Sequence, residues 1–187
     1  MTPSLHTDED LLIAVQKNGD QQAYAELVRR HSRRLYALAV RILRNRAEAE
    51  DVLQETFLRL WQHPDRWNAS HGSRVMTWLY RVTVNLCLDR CRKSDLRRHE
   101  DIDAWTDRLA APHTTAEADQ NERLIAAIKT LTPHQRAAVE LVYYEGMPQK
   151  EAAHIMDLSE KGLQSLLHRA RTDLKKTMEA SDEADNR

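Results

Sequence analysis

Asp51, Gln54, Glu55 and Leu58 fall on one stripe of a predicted helix at about 100° per residue, with Leu53, Thr56, Phe57 and Leu60 roughly opposite. Such a stripe suits recognition rather than turnover: carboxylates and an amide for a cationic partner, with one apolar knob set among them. A helix that had only to stay soluble would carry Lys or Glu at position 58, because a leucine among carboxylates gains nothing from water. Single exposed leucines are ordinary, and Glu48, Glu50 and Asp51 also complement the positive end of the helix dipole. The next segment shifts the balance toward a partner. His63-Pro64 ends the helix, and a polar loop from Asp65 to Arg74 carries Trp67 and two arginines. A second helix follows, opening Thr77-Trp78-Leu79-Tyr80-Arg81-Val82-Thr83-Val84-Asn85 and running into Arg90, Arg92 and Lys93.

That loop and second helix have the chemistry to hold unpaired nucleotides. Duplex DNA hides its base faces, so reading separated strands requires aromatic surfaces or polar pockets for unstacked bases. Trp67, Trp78 and Tyr80 are candidate surfaces, and Asn68, Ser70, Ser73 and Asn85 can bond base edges. Arg66, Arg74, Arg81, Arg90 and Arg92 can hold phosphates, which supplies affinity and orientation without reading sequence. Trp78 and Tyr80 lie about 200° apart on the wheel, so both cannot face a core equally. For either ring the alternative is an anchoring role in the bundle.

The run Asp51-Val52-Leu53-Gln54-Glu55-Thr56-Phe57-Leu58-Arg59-Leu60-Trp61, then Arg66-Trp67, then Thr77 to Asn85, resembles region 2 of the bacterial sigma-70 family in its small extracytoplasmic-function (ECF) branch. The resemblance implies a fold, partners and roles. Region 2 grips a coiled coil on the largest subunit of core RNA polymerase and captures melted bases of the minus-ten element. Carried onto this chain, Asp51, Gln54, Glu55, Leu58 and Trp61 match the polymerase-binding positions. The base-capturing loop corresponds to residues 66–74, with Arg66, Trp67, Asn68, Ser73 and Arg74 as its contacts, and Trp78, Arg81 and Asn85 match the helix beside it.

The whole composition fits this reading. In 187 residues there are only 4 glycines and 5 prolines, with few β-branched runs, so an all-α fold is expected. The formal net charge of −1 disguises an uneven distribution. From Val75 to Arg98 six Lys/Arg stand against two Asp/Glu, and from Ser159 to Lys176 five stand against two, so the basic segments are offset by acidic ones elsewhere. No apolar run reaches the roughly 18 residues of a membrane span and no signal sequence is evident, so a cytoplasmic protein is expected. Cys87 and Cys91 suggest reduced thiols, with too few neighbouring ligands for zinc. Glu151-Ala152-Ala153-His154 has the spacing of a di-iron ligand pair but no second copy. No nucleophile, base and orienter come together and no glycine loop could cradle phosphate, so neither catalytic residues nor a cofactor are expected.

Along the chain, Thr7-Asp8-Glu9-Asp10 predicts a capped helix start, and Asn18-Gly19-Asp20 a break that caps a long amphipathic helix running to about Arg44, with apolar positions from Tyr24 to Ile42 and His31 as an interior histidine. From Ser94 to about Asn121 the composition turns acidic, which predicts a flexible linker with a short helix near Trp105. Leu124, Ile125, Ile128 and Leu131 then form an apolar stripe, and Thr132-Pro133 predicts a helix start running to about Tyr144. Gln149 to Met156, a turn at Asp157-Leu158 and a helix opened by Ser159 have the proportions of a helix-turn-helix. In its second helix Leu163, Leu167 and Ala170 face inward, which leaves Lys161, Gln164, Ser165, His168, Arg169 and Arg171 for DNA.

This second half is similar to region 4 of the same family, which reads the minus-thirty-five element in the major groove. Two departures stand out. Asp157 occupies the turn position where glycine is usual, and Leu166 stands where arginine is common, leaving an apolar side chain for an inhibitor to touch.

The expected organisation is two small helical domains: residues 1–94 as region 2, 95–121 as an acidic linker, 122–178 as region 4, and 179–187 as a disordered tail. The expected function is an ECF sigma factor that joins core RNA polymerase, directs it to promoter DNA and promotes strand opening under control of an anti-sigma factor. The rival is a stand-alone helix-turn-helix regulator binding duplex operators, which has no use for the acidic stripe or the loop.

Overall fold

A computed structural model describes residues 7–67, 74–100, 127–128 and 130–185, with side chains omitted at 95–100 and 181–185. Every regular element among the described residues is helical, as expected, and none of their helices is long and apolar enough to cross a membrane. The chain divides into two compact units, one built mainly from residues up to Arg90 and the other mainly from those after it.

In the first unit, α1 (Asp8–Asn18) begins with a capping box: the Thr7 hydroxyl accepts from the Asp10 N–H and the Asp10 carboxylate accepts from the Thr7 N–H. Gly19 ends it in the left-handed conformation, and Asp20 immediately caps α2 (Gln21–Leu43) by accepting from the N–H groups of Gln22 and Ala23. Arg44, also left-handed, and Asn45, which accepts from the Glu48 N–H, turn the chain into α3 (Arg46–Gln62). Pro64–Arg66 forms one turn of 3-10 helix, and α4 (Val75–Glu100) completes the unit. α4 continues six residues past 94, where the linker was expected to begin. The proposed helix near Trp105 lies outside the described residues.

Helical spacing puts one face of each helix into the core: Leu12 and Val15 from α1, Leu27, Leu35, Leu38 and Ile42 from α2, and Val52, Phe57 and Leu60 from α3. α4 adds Leu79, Tyr80, Val84 and Cys87. The hydroxyls of Thr56 and Thr83 are fully buried between α3 and α4, 3.3 Å apart, and each also donates to the carbonyl four residues back on its own helix. Leu53, expected on the core side, is only half-buried, and Val52 and Ala49 take the interior positions instead.

The second unit is built on α5 (Pro133–Val139), α6 (Gln149–Ile155) and α7 (Glu160–Asp185), and α7 continues to Asp185 through most of the segment expected as a disordered tail. α5 opens with proline in its first turn, as the sequence predicts, and the structure adds a reciprocal capping box between Thr132 and Gln135. Its expected continuation to Tyr144 is present, but Glu140–Tyr144 winds as a π-helix. Gln135, buried at the root of α5, donates to Asp173 of α7 at 2.7 Å, which ties the two helices together. Leu141, Ile155, Leu163, Leu167 and Ala170 fill the interior.

Asp157 adopts φ 57° in the turn before α7, the left-handed region that costs an L side chain stability and glycine nothing. Asp157→Gly is therefore predicted to stabilise this unit by up to about 1 kcal/mol. Thermal unfolding of the two proteins checks it, and an unchanged or lowered midpoint would show that the aspartate is not strained there.

Candidate functional site

The α3 stripe emerges as expected on the outside of the first unit. Asp51 and Gln54 are exposed, Glu55 is partly so, and Leu58 and Trp61 show 50% and 36% of their surface. Leu58 is thus an apolar side chain held in water between carboxylates, an arrangement that packing within the chain does not explain.

The stripe is one wall of an open groove. Leu53, Phe57 and Leu58 of α3 line it together with Tyr24, Val28 and Ser32 of α2, while Asp51, Gln54 and Glu55 stand along its margin. Tyr24 sets the α2 side. Its hydroxyl donates to the Phe57 carbonyl at 3.1 Å, and its ring meets that of Trp61 edge to face at 5.0 Å. Burial raises the Tyr24 pKa above the usual phenol value, so the hydroxyl remains a donor at physiological pH. The α2 wall was missed from the sequence because Tyr24 and Val28 lie on a helix whose apolar stripe reads simply as core; their nearness to a carboxylate stripe is a tertiary fact.

The electrostatics also contain a residue that was assigned elsewhere. Arg90 was expected to hold phosphate, but from α4 it reaches the acidic face of α3. Its Nη1 donates to Glu48 at 2.7 Å and to Asp51 at 3.2 Å, and its Nη2 lies 3.7 Å from Glu55. Hydrogen bonding to Glu48 and then to Asp51 holds the guanidinium pKa above its ordinary value. Arg59 bonds the other Glu55 oxygen at 2.6 Å along the helix. Glu48, Asp51 and Glu55 are therefore pinned from the α4 side rather than left to wave.

The nucleotide-binding expectations divide. Arg66 and Arg74 are exposed at the ends of the loop, Asn85 is exposed on α4, and Trp78 and Arg81 are partly exposed. Asn68, Ser70 and Ser73 lie outside the described residues. Two aromatics correct the reading: Trp67 is only 3% exposed and Tyr80 1%, so neither offers a ring face to a base. Trp67 belongs to the packed root of the loop, and Gln16 of α1 holds that root by donating to the carbonyls of Pro64 and Trp67 at 2.6 and 3.1 Å. The backbone N–H of Val75 at the far stem donates to Glu9, again from α1, at 3.3 Å. Tyr80 lies in the core with Arg34 over its ring. Of the three candidate rings, Trp78 is the one with surface to offer.

In the second unit the helix-turn-helix geometry is as read. Leu158 N–H donates to the Ala153 carbonyl to close the turn, and Ser159 caps α7 by accepting from the Gly162 N–H at 3.0 Å. Lys161, Gln164, Ser165, His168, Arg169 and Arg171 are all exposed on α7. Arg171 is engaged rather than loose: it donates to the Tyr143 hydroxyl and lies over that ring. Leu166 is half-buried, so it offers less apolar surface than its position suggested.

The sequence of both units matches known proteins. A family model described as Sigma-70 region 2 matches residues 27–97, and one described as Sigma-70, region 4, matches residues 121–174. The chain is 34% identical to the ECF RNA polymerase sigma factor SigE of Mycolicibacterium smegmatis over 84% of its own length, spanning 63% of that relative. It is 32% identical to the ECF RNA polymerase sigma factor SigM of Mycobacterium tuberculosis, covering 87% of this chain and 81% of that one. Among solved structures it resembles CnrH in complex with the cytosolic domain of CnrY, at TM-score 0.65 and 25% identity over 92% of this chain and 97% of that one. The fold also resembles the Bartonella quintana sigma factor RpoE in complex with the anti-sigma factor NepR, at TM-score 0.67 and 21% identity over 84% and 98%. With both halves matched, and a relative above 30% identity aligned along most of its length, the chain belongs to the ECF branch of the sigma-70 family of RNA polymerase sigma factors.

Proposed function

We propose that this protein joins core RNA polymerase through the α2–α3 groove, directs the enzyme to promoters carrying a minus-ten and a minus-thirty-five element, and assists strand opening in the cytoplasm of a bacterium. The single observation that carries the polymerase assignment is Leu58, half-exposed beside Asp51, Gln54 and Glu55 at the lip of an apolar groove. A helix of the polymerase with apolar and basic side chains is the complementary occupant: its apolar groups fill the groove and its cations meet the rim.

Trp78, Arg81 and Asn85, with the loop from Arg66 to Arg74, are assigned to the melted minus-ten strand. Lys161, Gln164, Ser165, His168 and Arg169 are assigned to the minus-thirty-five duplex, with Arg171 on its phosphates. The protein brings no catalytic groups of its own in this reading; RNA synthesis belongs to the polymerase. An anti-sigma factor that covers Leu58 would block holoenzyme assembly directly, and the complex of the RpoE neighbour with NepR provides a precedent for control by a bound protein.

A stand-alone operator-binding regulator leaves the α3 face and its groove without a use. DNA retention on filters separates the two readings. The protein alone is predicted to bind duplex DNA weakly, with affinity that collapses as salt rises, and to bind promoters specifically only with core polymerase. Tight, sequence-specific binding by the isolated protein would favour the regulator.

A further inference from the structure

Glu48, Asp51 and Glu55 recur at helical spacing along one side of α3, where like charges repel and scatter one another's side chains. A single guanidinium from another helix faces all three. Arg90 stands on α4, 42 residues from Glu48, and its side chain is 26% exposed, against 45%, 62% and 37% for Glu48, Asp51 and Glu55. The cation is therefore the most enclosed member of the cluster, and the carboxylates are its more exposed outer layer. Both Arg90 hydrogen bonds leave Nη1, one to an oxygen of Glu48 and one to an oxygen of Asp51, while Nη2 stands toward Glu55, so the planar guanidinium spans all three carboxylates. Glu55 is held from two sides, by Arg90 and by Arg59.

We propose that Arg90 is a positioning residue for polymerase docking: it acts through Asp51 and Glu55, holding them in the geometry that a cationic partner meets, and is not a ligand of DNA phosphate. The inference rests on the polymerase assignment above. Binding a partner through free carboxylates would require ordering long side chains at the moment of association, whereas here that ordering exists beforehand. Arg90 and Arg59 leave the face with a net negative charge, three carboxylates against two guanidiniums, so attraction for a basic partner survives.

A double-mutant cycle on the full-length protein tests this, with fluorescently labelled chain titrated against core RNA polymerase. Arg90→Gln is expected to weaken binding roughly 5- to 10-fold, and Arg90→Lys, which keeps the charge but not the fork, by a smaller factor. Asp51→Asn is expected to weaken it about 10-fold, and adding Arg90→Gln to Asp51→Asn to cost clearly less than Arg90→Gln costs alone, because only the hold on Glu55 is then left to lose. Full multiplication of the two single effects, or undiminished affinity in Arg90→Gln, overturns the proposal. Should Arg90→Gln fail to fold, as judged by helical circular dichroism, Arg90→Lys replaces it in the cycle with the same criterion. A second readout is the salt dependence of promoter binding by holoenzyme formed at saturating sigma protein. Its slope is expected to be unchanged in Arg90→Gln, and a slope reduced by about one would make Arg90 a phosphate ligand and overturn the proposal. If Asp51→Asn alone leaves affinity intact, the polymerase surface itself is misassigned; if Asp51→Asn weakens binding and Arg90→Gln does not, only the role of Arg90 fails.

Discussion

Reversing Asp51 and Glu55 together to lysine is expected to weaken association with core RNA polymerase by at least two orders of magnitude, about 3 kcal/mol. Both side chains stand on the rim of the groove beside Leu58, and a partner selected for that rim brings cations, so each reversal replaces an attraction with a repulsion at the same place. Part of the loss is internal, because lysines at these positions also repel Arg90 and Arg59, the present partners of the two carboxylates. The fold should withstand the change. The side chains of Asp51 and Glu55 are 62% and 37% exposed, and ion pairs this open to water contribute little to stability. Measuring affinity by titration, alongside the thermal unfolding midpoint, separates the two effects: a large loss of affinity with a midpoint shifted by a few degrees at most is the predicted pattern.

The second large effect concerns Trp67, and it is an effect on stability. A tryptophan at the root of a base-capturing loop invites assignment to a stacking platform, yet this one is 3% exposed. Truncating a ring so enclosed removes its buried surface and leaves a cavity, so Trp67→Ala is expected to destabilise the first unit by about 3–5 kcal/mol. For a unit of this size that lowers the unfolding midpoint by more than roughly 10 °C. Trp78→Ala, at a partly exposed ring, is expected to cost much less stability and to impair promoter opening by the assembled holoenzyme. Permanganate reactivity of unpaired thymines around the start site reads the opening, and calorimetry reads the stability. A Trp67→Ala protein as stable as the wild type but deficient in opening would restore the stacking role to Trp67.

The contrast between these two tryptophans marks where the sequence stops being informative. Polar punctuation was read well, because caps act within a few residues: Thr7 with Asp10, Asp20 before α2 and Thr132-Pro133 at the start of α5 all work as predicted. The Leu58 stripe was legible for a related reason. Period and polarity together place a residue on a face, and a leucine on an acidic face is conspicuous.

Aromatic residues carry no such sign. A tryptophan or tyrosine suits a core and a nucleotide equally, so Trp67 and Tyr80 were drawn toward DNA by neighbouring arginines although both are packed inside. The carboxylate partners of Arg90 were missed for a parallel reason. Its chemistry serves a phosphate or a carboxylate alike, and its carboxylates lie about 40 residues earlier, beyond the reach of any local pattern. The α2 wall of the groove was hidden in the same way, and the π-helical turn at Glu140–Tyr144 has no signature in residue type.

Run-off transcription from a promoter library, with purified core polymerase and either the wild-type protein or the Asp51→Lys, Glu55→Lys variant, tests the central claim most directly. The wild-type protein should yield transcripts from a discrete set of promoters sharing two spaced elements, and the variant, folded and at the same concentration, should yield almost none. Equal transcription with both proteins, or no promoter-selective transcription with either, would contradict the account.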